Sequence, residues 1–502
     1  MYHRHTLISR LTTTVTMVLA AAILLSACNL PAASFSSGLP EVDPVSNLTM
    51  PTLEAMVATP FPTRPIYAPG DLVDYIAQPG DTLPALAAHF NTTVEEILEA
   101  NSFIPNTATT MPAGMPMKIP VYYQPFWGTP FKMIPDSHFV NGPYQVSFDT
   151  SAFVAQHPGW LNGAVDYAGG QNRSGAEVVD FVARRFSVSP TLLLALLEYQ
   201  SGALSQANPS ETQKIYPMGY QARERKGLYR QLIWSANTLN NGYYGWRTAN
   251  LLKIEYPDGR EQSFDPWQNA ATVGLHYFFN KALSHEEYLV AIGPDGLAHT
   301  YQSLFGDPWA ADQPHIPGSL EQPDFTLPFL PGGAWAYTGG PHTGWGTGEP
   351  YVAIDFAPPS NSPGCVSTDH WATAVAPGVV VRSDTGELVL DLDGDGDERT
   401  GWNIFYLHVA TDGRASLGAS LQTGDPVGHP SCEGGTSTGT HVHIARKYNG
   451  EWIPAEGALA FNLEGWIAHN GSRPYLGTLT RGNSVVTACV CSNAATFIES
   501  GK

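Results

Sequence analysis

Hydrophobic and polar positions alternate with different periods in successive stretches of the chain. Between residues 71 and 121, Tyr75-Ile76-Ala77 is a short strand-like run, followed by the turn Pro79-Gly80-Asp81-Thr82, suited to capping a helix. Leu83, Leu86, Ala87 and Phe90 then recur at helical spacing. Thr92 and Thr93 stand three residues before Glu95 and Glu96, a capping-box pattern that predicts a second helix carrying Val94, Ile97 and Leu98 and stopping near Asn101. After Pro112-Ala113-Gly114, Met117 to Pro120 predicts a closing strand, so the segment is a βααβ unit.

A Pro- and aromatic-rich connector, 122–140, leads into a mostly helical region, 141–316, that carries Trp160, Trp234, Trp246 and Trp267. Its clearest helix runs from Ser189, a good N-cap, through Pro190 at the first turn to the stop at Gly202. It is apolar nearly all round, hence buried. From 325 to 495 the pattern becomes short β-type runs split by Gly and Pro: Val352–Phe356, Val379–Arg382, Glu387–Asp391, Asn403–Val409 and His441–Arg446. That predicts an all-β domain built as an antiparallel sheet or sandwich.

Composition narrows the function. The chain has 502 residues, 43% of them hydrophobic, which is enough for several packed cores and excludes global disorder. Its net charge of −20 argues against nucleic acid and against electrostatic adhesion to anionic wall polymers. Residues 1–27 have a basic start at Arg4 and Arg10 and an apolar core from Val15 to Leu25, as a signal peptide does. Leu25-Ser26-Ala27-Cys28 resembles the bacterial lipobox, which implies cleavage before Cys28, lipidation of its thiol and attachment to the outer face of a bacterial membrane. Residues 28–70, rich in Pro, Ser, Thr and Ala, read as a solvated tether. Export permits disulfides. Cys489 and Cys491 are expected to be too close to bridge each other, so pairing with Cys365 and Cys432 is the expectation.

The candidate chemistry lies in the last third. His441-Val442-His443 opens a strand, where alternate residues share a face about 7 Å apart. That is too far for both to chelate one ion, but it suits one ligand and one neighbour poised over a bound water. Asp355 interrupts an apolar strand, costly unless paired or coordinated. His342 lies in the expected loop Gly340-Pro341-His342-Thr343-Gly344 just upstream. Along Ile404-Phe405-Tyr406-Leu407-His408, alternation puts Ile404, Tyr406 and His408 on one face and Phe405, Leu407 and Val409 on the other. His370 and His429 match no such pattern and read as structural.

Three family resemblances follow from these residues. Gly80-Asp81-Thr82-Leu83, Phe90, Asn101 and Pro112-Ala113-Gly114 through Ile119-Pro120 resemble the LysM module, which implies binding of N-acetylglucosamine-containing glycans of peptidoglycan, with the contact residues unassigned within 71–121. The helix ending Glu198-Tyr199-Gln200-Ser201-Gly202 resembles the active-site helix of lysozyme-like lytic transglycosylases, with Gln200 where the family has its acid. An amide cannot protonate a leaving oxygen, so the region reads as a glycan-binding relative without activity or as a plain helical spacer.

The order His342, Asp355, His408, His441-x-His443 resembles the lysostaphin-like zinc endopeptidases, the M23 family, and the long interval between the first two looks like the β-lytic, staphylolytic branch. The resemblance implies that His342, Asp355 and His443 bind Zn2+, that His441 is the general base, and that His408 stabilises the tetrahedral intermediate or protonates the leaving amine. It implies an endopeptidase that hydrolyses peptidoglycan cross-link peptides. The alternative is a non-catalytic activator or scaffold for wall hydrolases, whose known members have lost zinc ligands. Finally, Asp391-Leu392-Asp393-Gly394-Asp395-Gly396-Asp397-Glu398 resembles the start of a calcium loop, but Trp402 replaces the acidic twelfth residue, and an acidic hairpin turn also explains it.

Overall fold

The computed structural model describes residues 63–122, 127–310, 312–491 and 493–501. The expected leader, Cys28 and most of the tether lie outside the described residues. No helix among the described residues is long and apolar enough to cross a membrane.

The βααβ expectation is met. Strand β1 (Asp71–Ile76) pairs antiparallel with β2 (Pro116–Val121) around helices α1 (Leu83–Phe90) and α2 (Val94–Ala100). Thr82 caps α1 through its side chain, and Thr93 with Glu96 forms the reciprocal capping box of α2. Leu86, Phe90, Ile97 and Ile119 are fully buried between them.

The middle region is helical, built on α3 (Gly175–Phe186), α4 (Pro190–Ser201), α5 (Leu228–Arg247) and α6 (Ala270–Ala282). In α4, Ser189 accepts the backbone N–H of Leu192 and Gly202 closes the helix in the left-handed region at φ 59°. Its leucines from Leu192 to Leu197 are completely buried, which is why this helix shows no polar face. The later half of the expected connector is core instead: Met133, Ile134, Phe139 and Val140 are buried among these helices.

The C-terminal strands are β3 (Ala334–Thr343), β4 (Tyr351–Ala357), β5 (Gly378–Asp384), β6 (Gly386–Asp391), β7 (Trp402–Val409), β8 (Ser420–Leu421), β9 (Val442–Tyr448), β10 (Glu451–Trp452) and β11 (Phe497–Glu499). They form one antiparallel sheet in the order β8-β5-β6-β7-β9-β4-β3-β11, with β10 beside β9. A smaller four-stranded sheet spans residues 462–487. Two expectations need correction. His342 lies on a strand, not in a loop: Gly339, Gly340 and Pro341 conceal β3 from propensity, and its pairing with β4 shifts register between Tyr337 and Gly339, between Gly339 and His342 and between His342 and Thr343. The domain also runs past 495, because β11 adds to the edge at β3.

Strand alternation gives the main sheet two apolar faces. Ile354, Phe356, Ile404, Tyr406, Val442 and Ile444 pack into one core. Ala353, Phe405, Leu407, Ala445 and Trp452 pack into the core of the helical domain. The sheet is therefore a wall shared by both. At the seam, buried Arg247 on α5 meets Asp136 at 3.0 Å and Glu451 at 3.1 Å, and donates to the Pro79 carbonyl in the turn before α1. Burial alone would raise the Glu451 carboxyl, but Arg247 and His315 outweigh it and hold it at about 2. One cation thus ties together the βααβ unit, the helices and the sheet.

Candidate metal centre

Asp355 and His443 face each other across the β4–β9 ladder, because the register sets them as direct partners. Both point to the helical-domain face, opposite Ile354, Phe356, Val442 and Ile444. His342 arrives from the end of β3, paired to Ala353. Gly339 makes room for the carboxylate: a Cβ there would stand 2.2 Å from Asp355 Oδ2.

Three atoms converge. His342 Nε2 and His443 Nδ1 are 3.0 Å apart. Asp355 Oδ1 lies 3.4 Å from the first and 3.3 Å from the second. Zinc–ligand bonds of about 2.0–2.1 Å at tetrahedral angles place ligand atoms about 3.3 Å apart, so the triangle has the size of one zinc face. Asp355 Oδ1 is buried with no hydrogen-bond donor, as an atom reserved for a cation would be.

The tautomers agree with this. A carbonyl can only accept, so a ring nitrogen beside one must carry the hydrogen. His342 Nδ1 donates to Gly340 O at 2.8 Å, leaving Nε2 with its lone pair. His443 Nε2 donates to Gly344 O at 3.2 Å, leaving Nδ1 free. In each case the inward nitrogen is the unprotonated one. Burial pushes His342 down to about 4, so its ring is neutral at neutral pH. Burial would raise Asp355, but the imidazoles of His342 and His441 more than reverse that and hold it far below the usual carboxylate range.

The two remaining histidines stand beside this triangle. His441 donates Nδ1–H to Gly439 O at 2.8 Å and turns Nε2 toward Asp355 Oδ1 at 3.7 Å. His408 donates Nδ1–H to Glu433 O at 2.8 Å, and its ring centre is 4.5 Å from that of His441. Burial, reinforced by His441 and His443, pushes His408 down to about 3. Simple alternation would have turned His408 away with Ile404 and Tyr406. Instead the pairing of β6 with β7 slips between Gly386 and Glu387, and His408 takes φ 63°. That bulge swings His408 to the site and sends Val409 into the opposite core. A left-handed histidine costs energy, and here the strain positions a ring at the site.

Tyr475 also reaches the site, unforeseen from the sequence. Its ring stacks on His342 at 4.0 Å, and its backbone bridges Gly340. It comes from a turn 133 residues further along, and only tertiary structure brings it close. His429, by contrast, packs on Trp371 and bonds the carbonyl of His370.

The disulfides differ from expectation. Cys365 bridges Cys432, joining the loop after β4 to the loop before His441, and Cys489 bridges Cys491. Cys489 sits against β3 through Tyr337 O, away from the first pair. Asp391, Asp393 and Asp395 do cluster in the β6–β7 turn, where Asp391 accepts the backbone N–H groups of Asp393 and Gly396. In α4, Glu198 is consumed as a cap for Leu204 and Ser205, and Gln200 packs against Gly219.

Comparison with known proteins places these parts. Residues 75–120 match the LysM domain, and residues 132–318 match the family "LasA, N-terminal domain". Protease LasA of Pseudomonas aeruginosa is 25% identical over 340 residues, covering 64% of this chain and 75% of that protein. The beta-lytic metalloendopeptidase of Achromobacter lyticus is 28% identical over 141 residues, 26% of this chain and 35% of that protein. Among solved structures, the M23 metalloprotease pseudoalterin is similar at 24% identity and a TM-score of 0.29, with 33% of this chain and 96% of that chain covered. The C-terminal domain, with its His342, Asp355 and His443 donor set, is thus similar to that of zinc metalloendopeptidases such as the beta-lytic enzyme. In this chain a LysM module and a LasA-type N-terminal domain precede it.

Proposed function

We propose that this M23-type zinc metalloendopeptidase hydrolyses the cross-link peptides of peptidoglycan, held to its substrate by the LysM module. The observation that carries the reading is the convergence of His342 Nε2, Asp355 Oδ1 and His443 Nδ1, each freed for a cation by what its other polar atoms do. Three protein ligands leave a position open, as catalytic zinc sites do and closed structural sites do not. When bound in such a site, zinc acidifies a water and polarises the scissile carbonyl.

The chain's own residues supply the proton transfers. His441, with Nδ1–H committed to Gly439, offers the lone pair of Nε2 to the attacking water and takes its proton. The proton then passes to the departing amine nitrogen as the peptide C–N bond breaks. His408 presents its own Nε2 on the same side, oriented by Glu433 O. The retained ligand set separates this chain from activators that have lost theirs. The LysM match and the LasA-like relatives support an exported, wall-associated protein, and Leu25-Ser26-Ala27-Cys28 supports a lipid anchor.

Incubating purified peptidoglycan with the protein and analysing the fragments by mass spectrometry tests the reaction. The reading expects new free amino termini on cross-link peptides and none with His441→Ala. Equal release by that variant would remove the assigned base.

A further inference from the structure

A second recess lies outside the metal centre, at the seam between α5, α6 and the loop that leaves His342. It is open to solvent and has a volume of about 760 Å³, in the size range of small-ligand sites. We propose that it is a saccharide-binding site that holds a pyranose segment of the glycan beside the peptidase centre.

The first argument is the wall. Tyr220 and Trp234 stack at 3.9 Å with their planes 2° apart, giving a flat, rigid aromatic surface backed by Phe278. Tyr277 lines the same recess, with the Lys281 ammonium 5.3 Å from its ring centre. Rigid aromatic rings give contact area at low entropic cost, and a pyranose ring presents an apolar C–H face that lies flat on such a surface.

The second argument is the polar rim. Asn237 Nδ2, Asn280 Oδ1, the hydroxyls of Tyr220 and Tyr277 and Trp234 Nε1 all belong to lining residues and have no partner among the described residues. None is a sealed, unsatisfied atom. Donors and acceptors of this kind, neutral and set around aromatic faces, match hydroxyl and acetamido groups. The charges that line the recess, Lys281 and Glu255, are opposite in sign, so it is no anion clamp. A peptide strand would need an open backbone edge. The one at hand is closed: Glu255 O already accepts Asn280 Nδ2, and Tyr256 N–H already bonds Arg260 O.

The third argument is position. Thr347 and Gly348 form part of the lining, and Asn237 Oδ1 accepts the Thr347 N–H at 2.7 Å. Thr347 is five residues past His342, and at about 3.5 Å per residue the recess lies within roughly 18 Å of the metal ligands. A glycan held there would carry its stem peptide to the metal centre. That the saccharide is the wall glycan rests on the wall-hydrolase reading; that the recess takes a saccharide rests on its lining.

Photo-crosslinking tests it on the full chain, with a diazirine-tagged N-acetylglucosamine oligomer and peptide mapping. Label is expected within residues 228–247 and 270–282, competed by untagged oligomer. Tyr220→Ala, on an irregular loop, and Tyr277→Ala should each lower that label at least tenfold while label within 71–121 stays. Label confined to 71–121, label unchanged in both variants, or competition by an unglycosylated stem peptide instead of the oligomer would each overturn the proposal. The readout needs no hydrolysis, so its failure and a failure of the peptidase reading are told apart.

Discussion

Asn241 on α5 donates its side-chain amide to Thr347 O at 2.9 Å and accepts the Glu349 N–H at 3.0 Å. With Asn237 one turn earlier, it makes a helix of the LasA-type domain the support of the loop that follows β3, the strand carrying His342. The metal centre is therefore braced from outside its own sheet.

That brace predicts a variant phenotype. Asn241→Ala removes two hydrogen bonds to the loop, each worth about 1 kcal/mol net. Zinc affinity, read by competition with a chelator, should fall several-fold while the circular dichroism spectrum stays that of the parent. An unchanged affinity would show that β3 and β4 alone hold His342.

Gly339 gives a sharper case. Its backbone is part of β3, so alanine is tolerated by the strand, but the added Cβ would meet the Asp355 carboxylate. Gly339→Ala should displace that carboxylate and lower zinc content and peptidoglycan digestion together, with the melting temperature of the metal-free protein nearly unchanged. Full zinc content in that variant would exclude the present placement of Asp355.

At the domain seam, Arg247 is buried between Asp136 and Glu451. Arg247→Met leaves those carboxylates without their cation, a loss that costs about 3–5 kcal/mol when a buried pair is broken. Thermal unfolding should shift down by several degrees. The βααβ unit should also become more accessible to protease, because Pro79 O loses its donor.

Acid should weaken the fold through buried neutral histidines. Burial pushes His89 and His276 down to about 3. In the unfolded chain each would take up a proton near pH 6.5, whereas the folded chain resists until about 3. Protons therefore favour the unfolded state across that window. Stability, complete above pH 6.5, is lost as pH falls towards 3, by up to about 1.4 kcal/mol per pH unit per group. The melting temperature should decline from pH 6.5 to 4. His89→Phe, which keeps the ring stack on Trp246, should make the decline shallower.

Local signals predicted the local structure. Thr82, Thr93 with Glu96, and Ser189 cap helices as their side chains indicate, because those bonds reach only three residues along the chain. Asp355 stood out because a carboxylate interrupts an apolar strand, and the regular ladder pairs it directly with His443. Alternation failed at His408, where a bulge inverts the face, and the strand signal failed at β3, where glycines and a proline mask a strand held by its neighbours. Tyr475, the Cys365–Cys432 bridge and the α5 support for the loop after β3 depend on contacts between distant segments, which no window of sequence contains.

The central claim is that His342, Asp355 and His443 share one ion and His441 works beside it. Zinc content of the purified protein and its variants, measured by mass spectrometry alongside digestion of peptidoglycan, tests it most directly. About one zinc per chain is expected in the parent and in His441→Ala, with digestion lost in the latter. His342→Ala and His443→Ala should lose both. Zinc retained in full by either ligand variant, or digestion surviving in His441→Ala, would contradict the account.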